Sequence, residues 1–199
     1  MFLSTKINNP LEQKHVKNVE FVFYLAAIFF YTMMTGIVGS YRQAYLVNIL
    51  QLSEDSVSFY NGFLSIAGFV MSFVYAMIID NRKIGKKGKF IPIVNAVAIP
   101  IGIVTMLLFY TPKGLSGTIL MIYLITIGML HGACTSFGNA INLVSYVVSP
   151  NNKERDKVIS FRSISSAVGN SAPLVVVLVI GLIIDKVTPG NPNKEYLVI

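Results

Sequence analysis

Polar side chains recur at helical spacing inside otherwise apolar stretches of this chain, where they could hydrogen-bond a polar solute. The clearest series lies within residues 118–148 and comprises His131, Thr135, Asn139, Asn142 and Tyr146. Positions three and four apart share one face of a helix. Polar groups on an apolar helix need a watery cavity or each other as partners. We interpret this series as the lining of a cavity.

Two other apolar stretches carry similar series. Within residues 21–46 the series is Tyr31 or Thr32, Thr35, Gly39 and Arg42. Within residues 57–79 it is Asn61, Ser65, Gly68, Ser72 and Tyr75. The first series predicts a contribution to the same solute path from Thr32, Thr35 and Arg42. The second consists mostly of Ser and Gly, which also pack membrane helices against each other, and we favour packing there.

Two ionisable residues need separate interpretation. His131 is the only histidine inside an apolar stretch, because His15 precedes them all. It could relay a proton, but a histidine that is hydrogen-bonded in packing is the favoured alternative. Arg162 lies about one turn into the last apolar stretch. Burial of arginine in a bilayer costs about 2.5–3.5 kcal/mol, so Arg162 either faces the solute path or extends to the headgroups.

A charged loop at residues 80–89 has an acid followed by bases. The acid is Asp80, and the bases are Arg82, Lys83, Lys86, Lys87 and Lys89. A carboxylate at the end of a helix can pair with neighbouring bases or with the positive N-terminal end of another helix. A cytoplasmic loop that is simply rich in bases is the alternative explanation.

The composition predicts an all-α integral membrane protein. Of the 199 residues, 54% are hydrophobic and 13% are charged, whereas soluble domains carry about 25% charge. Five stretches are long enough to cross a bilayer as helices, which takes about 20 apolar residues. We place them at residues 21–46, 57–79, 90–110, 118–148 and 158–184. The alternating pattern of an outer-membrane barrel is absent.

The basic residues predict the orientation of these helices. With the N-terminus in the cytoplasm, 12 of the 16 Lys and Arg residues fall on the inside, as the positive-inside rule requires. This explains the net charge of +7 better than nucleic-acid binding does. We therefore expect a multi-pass protein of the plasma membrane, with the lipid bilayer and a small-molecule solute as partners. No catalytic constellation, metal cluster or phosphate loop is visible, so we expect neither an enzyme nor a metal or cofactor site.

Two loops carry a family resemblance. The loop at residues 80–89, with Gly85, resembles the loop between helices two and three of the major facilitator superfamily. Its end, Gly-Lys-Phe-Ile-Pro at residues 88–92, and the segment at residues 153–162 resemble two patterns of the glycoside–pentoside–hexuronide cation symporters. These patterns are Gly-Lys-Phe-x-Pro and Glu-Arg-x-x-hydrophobic-x-x-Tyr-Arg. This is the melibiose permease family.

The resemblance implies a transporter of twelve helices in two halves. The chain would supply five helices of the N-terminal six-helix bundle, and the missing C-terminal half would be its partner. The implied function is secondary active transport of a small polar solute, such as a sugar or glycoside, by alternating access. The loop residues Asp80, Arg82, Gly85, Lys86 and Lys87 would control conformation, with Asp80 meeting a helix N-terminus of the other half. Arg162 would lie at the edge of the substrate pathway.

One departure from the family concerns the coupling ion. Cation-coupled members carry Asp in helices one, two and four, but residues 31–33, 68–72 and 134–139 hold no carboxylate. Because a Na⁺ site prefers charged oxygen ligands, the coupling ion, Na⁺ or H⁺, stays open. The alternative function is a truncated or degenerate membrane protein that has no transport activity of its own.

Overall fold

The computed structural model describes residues 14–85 and 88–187, with side chains up to residue 180. Its α-helices are α1 Asn18–Ala44, α2 Glu54–Asn81, α3 Ile91–Leu108, α4 Gly117–Gly138, α5 Ala140–Val147 and α6 Asn152–Val187. A π-helical turn, Tyr45–Ile49, extends α1. Over the described ranges the chain forms no strand beyond an isolated bridge between Gly85 and Gly88.

Among the described residues, five helical segments are long and apolar enough to cross a membrane. They are Asn18–Ile49, Glu54–Asn81, Ile91–Leu108, Gly117–Val147 and Asn152–Ile180. This confirms the predicted all-α membrane fold. The last segment begins six residues before the predicted residue 158, because the Asn151 side chain caps the helix. Asn151 Oδ1 accepts the backbone N–H of Lys153 at 3.0 Å, which is a standard N-cap bond.

The fourth spanning segment is broken at Asn139, whereas the sequence predicted one helix over residues 118–148. The Asn139 N–H donates to the Thr135 carbonyl at 2.9 Å, and the Asn142 N–H donates to the Asn139 carbonyl at 3.0 Å. The second bond spans three residues and tightens the turn. Gly138 and Asn139 are weak helix formers, so the chain can bend there. The segment is therefore two helices, α4 and α5.

The most extensive contact between helices is that of α1 with α6, and small residues permit it. A Cβ added to Gly169 would lie 2.6 Å from the Phe29 carbonyl oxygen, and one added to Gly36 would lie 3.1 Å from the Asn170 carbonyl oxygen. Ser165 Oγ also donates to the Leu25 carbonyl at 2.8 Å. Close backbone approach through small residues is how membrane helices associate without a hydrophobic driving force.

Glu154 connects the residues before α1 to the first turn of α6. Its two carboxylate oxygens accept the backbone N–H groups of His15 and Val16, each at 3.0 Å. A carboxylate is favourable beside a helix N-terminus, where the dipole is positive. The rings of Phe21 and Phe161 continue the contact edge to face, with centroids 5.6 Å apart. The two helices therefore begin at the same end of the bundle.

Candidate functional site

The break in the fourth segment is joined to α1 by Tyr31. The Tyr31 hydroxyl lies 2.9 Å from Asn139 Oδ1 and 3.0 Å from the Thr135 carbonyl oxygen. A Cβ added to Gly138 would lie 2.7 Å from the Tyr31 ring, so the ring fills the space that this glycine leaves. Asn139 is exposed although Gly138 and Ala140, its neighbours in the chain, are buried. An amide is thus presented at the surface of a spanning segment.

Two buried polar atoms near this junction lack hydrogen-bond partners among the described residues. They are Tyr75 Oη on α2 and His131 Nε2 on α4. The Tyr75 ring packs edge to face on Phe137, with centroids 5.6 Å apart. The sequence favoured a packing histidine that is hydrogen-bonded, but among the described residues Nε2 forms no such bond.

A second polar pair joins α1 to α2. Asn61 Nδ2 donates to Gln43 Oε1 at 3.1 Å, and both side chains are exposed. Further along α2, Ser65 and Ser72 are also exposed, and their hydroxyls donate to backbone carbonyls of their own helix. The polar series of α2 therefore lies largely on an open surface. The sequence had instead favoured packing of this series between helices.

The predicted pathway threonines occupy different surroundings. Thr32 is 6% exposed, and its hydroxyl donates to the Ile28 carbonyl at 2.9 Å where α1 meets Gly169 of α6. Thr35 and Thr135 are half-buried, and their hydroxyls also bond backbone carbonyls one turn earlier. The structure thus places Thr32 in the contact between helices and brings Thr135 close to Tyr31.

Arg42 is enclosed between three helices. It is 7% exposed, and Nε and Nη2 donate to Tyr60 Oη at 3.4 and 3.2 Å. Nη1 donates to the Leu108 carbonyl of α3. The guanidinium also lies 5.4 Å from the centroid of the Tyr45 ring, a cation–π contact. The residue therefore joins α1, α2 and α3 instead of facing the Tyr31–Asn139 junction.

Arg162 contacts α5. Its Nη1 donates to the Asn142 carbonyl at 2.9 Å and to Ser145 Oγ at 3.3 Å, and its guanidinium lies 5.3 Å from the centroid of the Tyr146 ring. These bonds hold the half-buried guanidinium beside α5. Two predicted pathway residues, Arg162 and Asn142, are thus in contact, although through the backbone of Asn142.

The loop after α2 contains a tight turn. The Gly88 N–H donates to the Gly85 carbonyl at 2.9 Å. Gly88 has φ 76°, a left-handed conformation that favours glycine. The predicted loop residues Lys86 and Lys87 lie outside the described residues.

Asp80 and Arg82, the other predicted loop residues, are exposed. Lys89 Nζ donates to the backbone carbonyl of Asp80 at 3.4 Å. Within the described part of the chain, the Asp80 carboxylate itself has no hydrogen-bond or ion-pair partner. The local pair that the sequence offered as one explanation of Asp80 is therefore not formed there.

The sequence missed the role of Tyr31 and of Gln43. Tyr31 was an alternative to Thr32 in the α1 series, and Gln43 was outside it because it follows Arg42 directly. No local sequence signal could have found them, because their partners, the amides of Asn139 and Asn61, lie on other helices. Among the described residues, no group of His, Cys, Asp and Glu could hold a metal ion.

Comparison with known proteins identifies the family. A family model described as MFS/sugar transport protein matches residues 23–199. No curated protein and no solved structure matches the chain. The match covers four of the five spanning segments entirely and most of the first. The chain therefore belongs to the major facilitator superfamily, in its sugar transport protein family, and is a multi-pass membrane protein of the transporter kind.

Proposed function

We propose that this chain is the N-terminal part of a secondary active transporter that moves a small, neutral, polar solute, a sugar or glycoside, by alternating access. The proposed relatives are the melibiose-permease-like symporters, whose loop patterns it resembles. A second helix bundle would face this one across the solute, and the two would rock about it. The proposed site of action is the plasma membrane.

The observation that carries the proposal is the pair of polar contacts at exposed positions of apolar helices. Asn139 with Tyr31 and Asn61 with Gln43 present amides on the outside of the bundle. An amide that faces hydrocarbon without a partner costs several kcal/mol. Exposed amides of this kind are therefore better suited to a water-filled path and a second bundle than to lipid.

The polar groups at and near these exposed positions favour a neutral solute. Tyr31, Thr35, Asn61 and Asn139 carry no charge, whereas Arg42 is enclosed among helices. Uncharged donors and acceptors suit hydroxyl groups, and an ionic solute would need a counter-charge. Predicted pathway residues that remain in the proposal are Thr35, His131, Thr135, Asn139 and Asn142. Arg162 would lie at the edge of the path, with its guanidinium bonded to the Asn142 carbonyl and to Ser145 of α5.

The described carboxylates do not favour a Na⁺ site in this half. They are near the ends of helices, at Glu20, Glu54, Asp55, Asp80, Glu154 and Asp156. Because Na⁺ prefers charged oxygen ligands, we propose that this half contributes little to Na⁺ coupling. The choice between H⁺ and Na⁺ would then rest with the partner bundle.

The proposed function predicts uptake of neutral saccharides. The test is a panel of radiolabelled mono- and disaccharides in membrane vesicles that contain the full-length protein, with and without gradients of Na⁺ or H⁺. We expect saturable uptake of at least one saccharide. Absence of uptake for every saccharide under every gradient would favour the alternative, a membrane protein without transport activity.

The proposed orientation predicts opposite labelling of two loops. In a background where Cys134 is replaced by Ala, Lys113→Cys should react with an impermeant maleimide in intact cells. Lys86→Cys should react only after permeabilisation, because the bases of its loop favour the cytoplasm. Labelling in the reverse order would invert the orientation.

A further inference from the structure

The contact of Glu154 with the residues before α1 brings two lysines together. Because the Glu154 carboxylate accepts the backbone N–H groups of His15 and Val16, the segment before α1 is held against the first turns of α6. Lys14 from this segment and Lys157 from α6 line the same small recess, whose volume is about 50 Å³. Two cations that are far apart in the sequence are therefore close neighbours in the fold.

Neither lysine has a counter-charge of its own. Lys14 Nζ donates to Asn18 Oδ1 at 2.7 Å, which occupies one of the three donors of an ammonium group. Lys157 Nζ lies 5.9 Å from the centroid of the Phe161 ring, a cation–π contact. Within the described residues neither ammonium forms an ion pair, and the Glu154 carboxylate is already bonded to the backbone. The recess therefore offers two cations to an anion.

An apolar cavity adjoins this recess. Its volume is about 540 Å³, and it lies between the first turns of α1 and the helices α3 and α5. Val16, Phe21 and Val158 line both the cavity and the recess. Val19 and Phe23 also line the cavity and are 65% and 71% exposed, so the cavity is open to the surroundings of the bundle.

One carboxylate, that of Glu20, also lines the cavity. Its Oε2 accepts the backbone N–H of Lys17 at 3.3 Å, at the N-terminus of α1, where the helix dipole is positive. Residues 14–20 and 152–157 together carry five cations and three carboxylates, which leaves a net charge of +2. The region as a whole therefore attracts anions.

We propose that this region binds one anionic phospholipid, with the phosphate between Lys14 and Lys157 and an acyl chain in the apolar cavity. Lysine binds phosphate as a point charge, and basic pockets between spanning helices suit acidic headgroups. Cations beside an apolar cavity match a ligand with an anionic head and a hydrocarbon tail, whereas a soluble anion would gain nothing from the cavity. In the proposed orientation the lipid belongs to the cytoplasmic leaflet. The proposal does not depend on which solute is transported.

The test is lipid binding by the purified full-length protein in detergent micelles, measured by native mass spectrometry. The probe is dioleoylphosphatidylglycerol, and dioleoylphosphatidylcholine has the same chains without a net charge. We expect the phosphatidylcholine to bind about tenfold or more weakly. Equal affinity for the two lipids would overturn the proposal.

Variants of the two lysines locate the headgroup. Lys14→Gln and Lys157→Gln should each raise the dissociation constant of the phosphatidylglycerol about fivefold and leave that of the phosphatidylcholine unchanged. Lys113→Gln is the matched control, because Lys113 is an exposed lysine of the connection between α3 and α4, and its affinity should equal that of the wild type. Wild-type affinity in both Lys14→Gln and Lys157→Gln would overturn the proposed headgroup site.

The acyl chain is tested separately. Dihexanoylphosphatidylglycerol, with the same headgroup and short chains, should bind the wild type more weakly than the dioleoyl lipid does. Ala27→Phe places a larger side chain in the cavity that Ala27 lines and should reduce this difference. Displacement of the dioleoyl lipid by millimolar inorganic phosphate, or a chain-length difference that persists in Ala27→Phe, would overturn the role of the cavity. Because uptake is not measured, these results are independent of the proposed transport function.

Discussion

Replacement of Arg42 by methionine should destabilise the folded protein by about 2–4 kcal/mol. The guanidinium is buried and donates to Tyr60 Oη and to the Leu108 carbonyl. Each of these buried groups would lose its partner, and an unsatisfied buried polar group costs about 1–3 kcal/mol. The measurement is the unfolding temperature of the purified full-length protein in detergent micelles.

Two further substitutions serve as controls for the Arg42 variant. Arg42→Lys should be intermediate, because an ammonium keeps the charge but lacks the planar set of donors that reaches both partners. Lys113→Met removes an exposed positive charge and should change stability by less than about 0.5 kcal/mol. A methionine variant that unfolds like the wild type but has lost uptake would contradict the packing role and place Arg42 on the solute path.

The five spanning segments could be predicted from the sequence because the bilayer imposes a minimum length of apolar residues. Their ends were less predictable. Helix α6 begins with charged turns that precede its apolar part and that Asn151 caps. The length of an apolar stretch does not predict such turns. The charged loops also identified the superfamily, since loop motifs are local in sequence and do not depend on packing.

The direction of individual side chains could not be predicted in the same way. Residues four apart on a helix are displaced by about 40° around its axis, so a polar series drifts from one face to the next. Thr32 and Tyr31 are adjacent in sequence, yet the first packs on Gly169 and the second meets Asn139. Which side chain meets which helix is determined by the contacts of α1 with α6 and with α4, and these contacts are not visible in the sequence.

The break at Asn139 was hidden for a related reason. Residues 118–148 read as one long apolar helix with scattered polar residues. The break is accommodated by the Tyr31 ring, which comes from a helix more than a hundred residues earlier in the chain. A local pattern carries no information about such a partner.

The substitution Asp80→Asn should slow transport while leaving folding intact. Asp80 lies in the last turn of α2, where the helix dipole disfavours negative charge. Its carboxylate is exposed and, in the part of the chain that the structure describes, has no partner, because Lys89 bonds the backbone carbonyl instead. A carboxylate kept in this unfavourable place is suited to a partner in the second bundle, such as a positive helix N-terminus.

Such a contact would form in one of the two access states and break in the other. A carboxylate at a helix N-terminus contributes about 0.3–2 kcal/mol, so its loss should shift the balance between the states by about two- to thirtyfold. We expect the initial rate of saccharide uptake to fall several-fold at matched protein abundance. The unfolding temperature should stay the same or rise slightly, because the asparagine removes an unfavourable charge from the helix end.

Asp55→Asn is the matched control for this experiment. Asp55 is also an exposed carboxylate of α2, but it lies in the first turn, where the helix dipole itself stabilises it. This substitution should lower stability slightly and leave the uptake rate unchanged. The two variants are therefore expected to have opposite effects. Asp80→Asn should slow transport without loss of stability, and Asp55→Asn should lower stability slightly without a change in transport. Wild-type uptake by Asp80→Asn would mean that its carboxylate is only a surface charge and that the state-dependent contact does not exist.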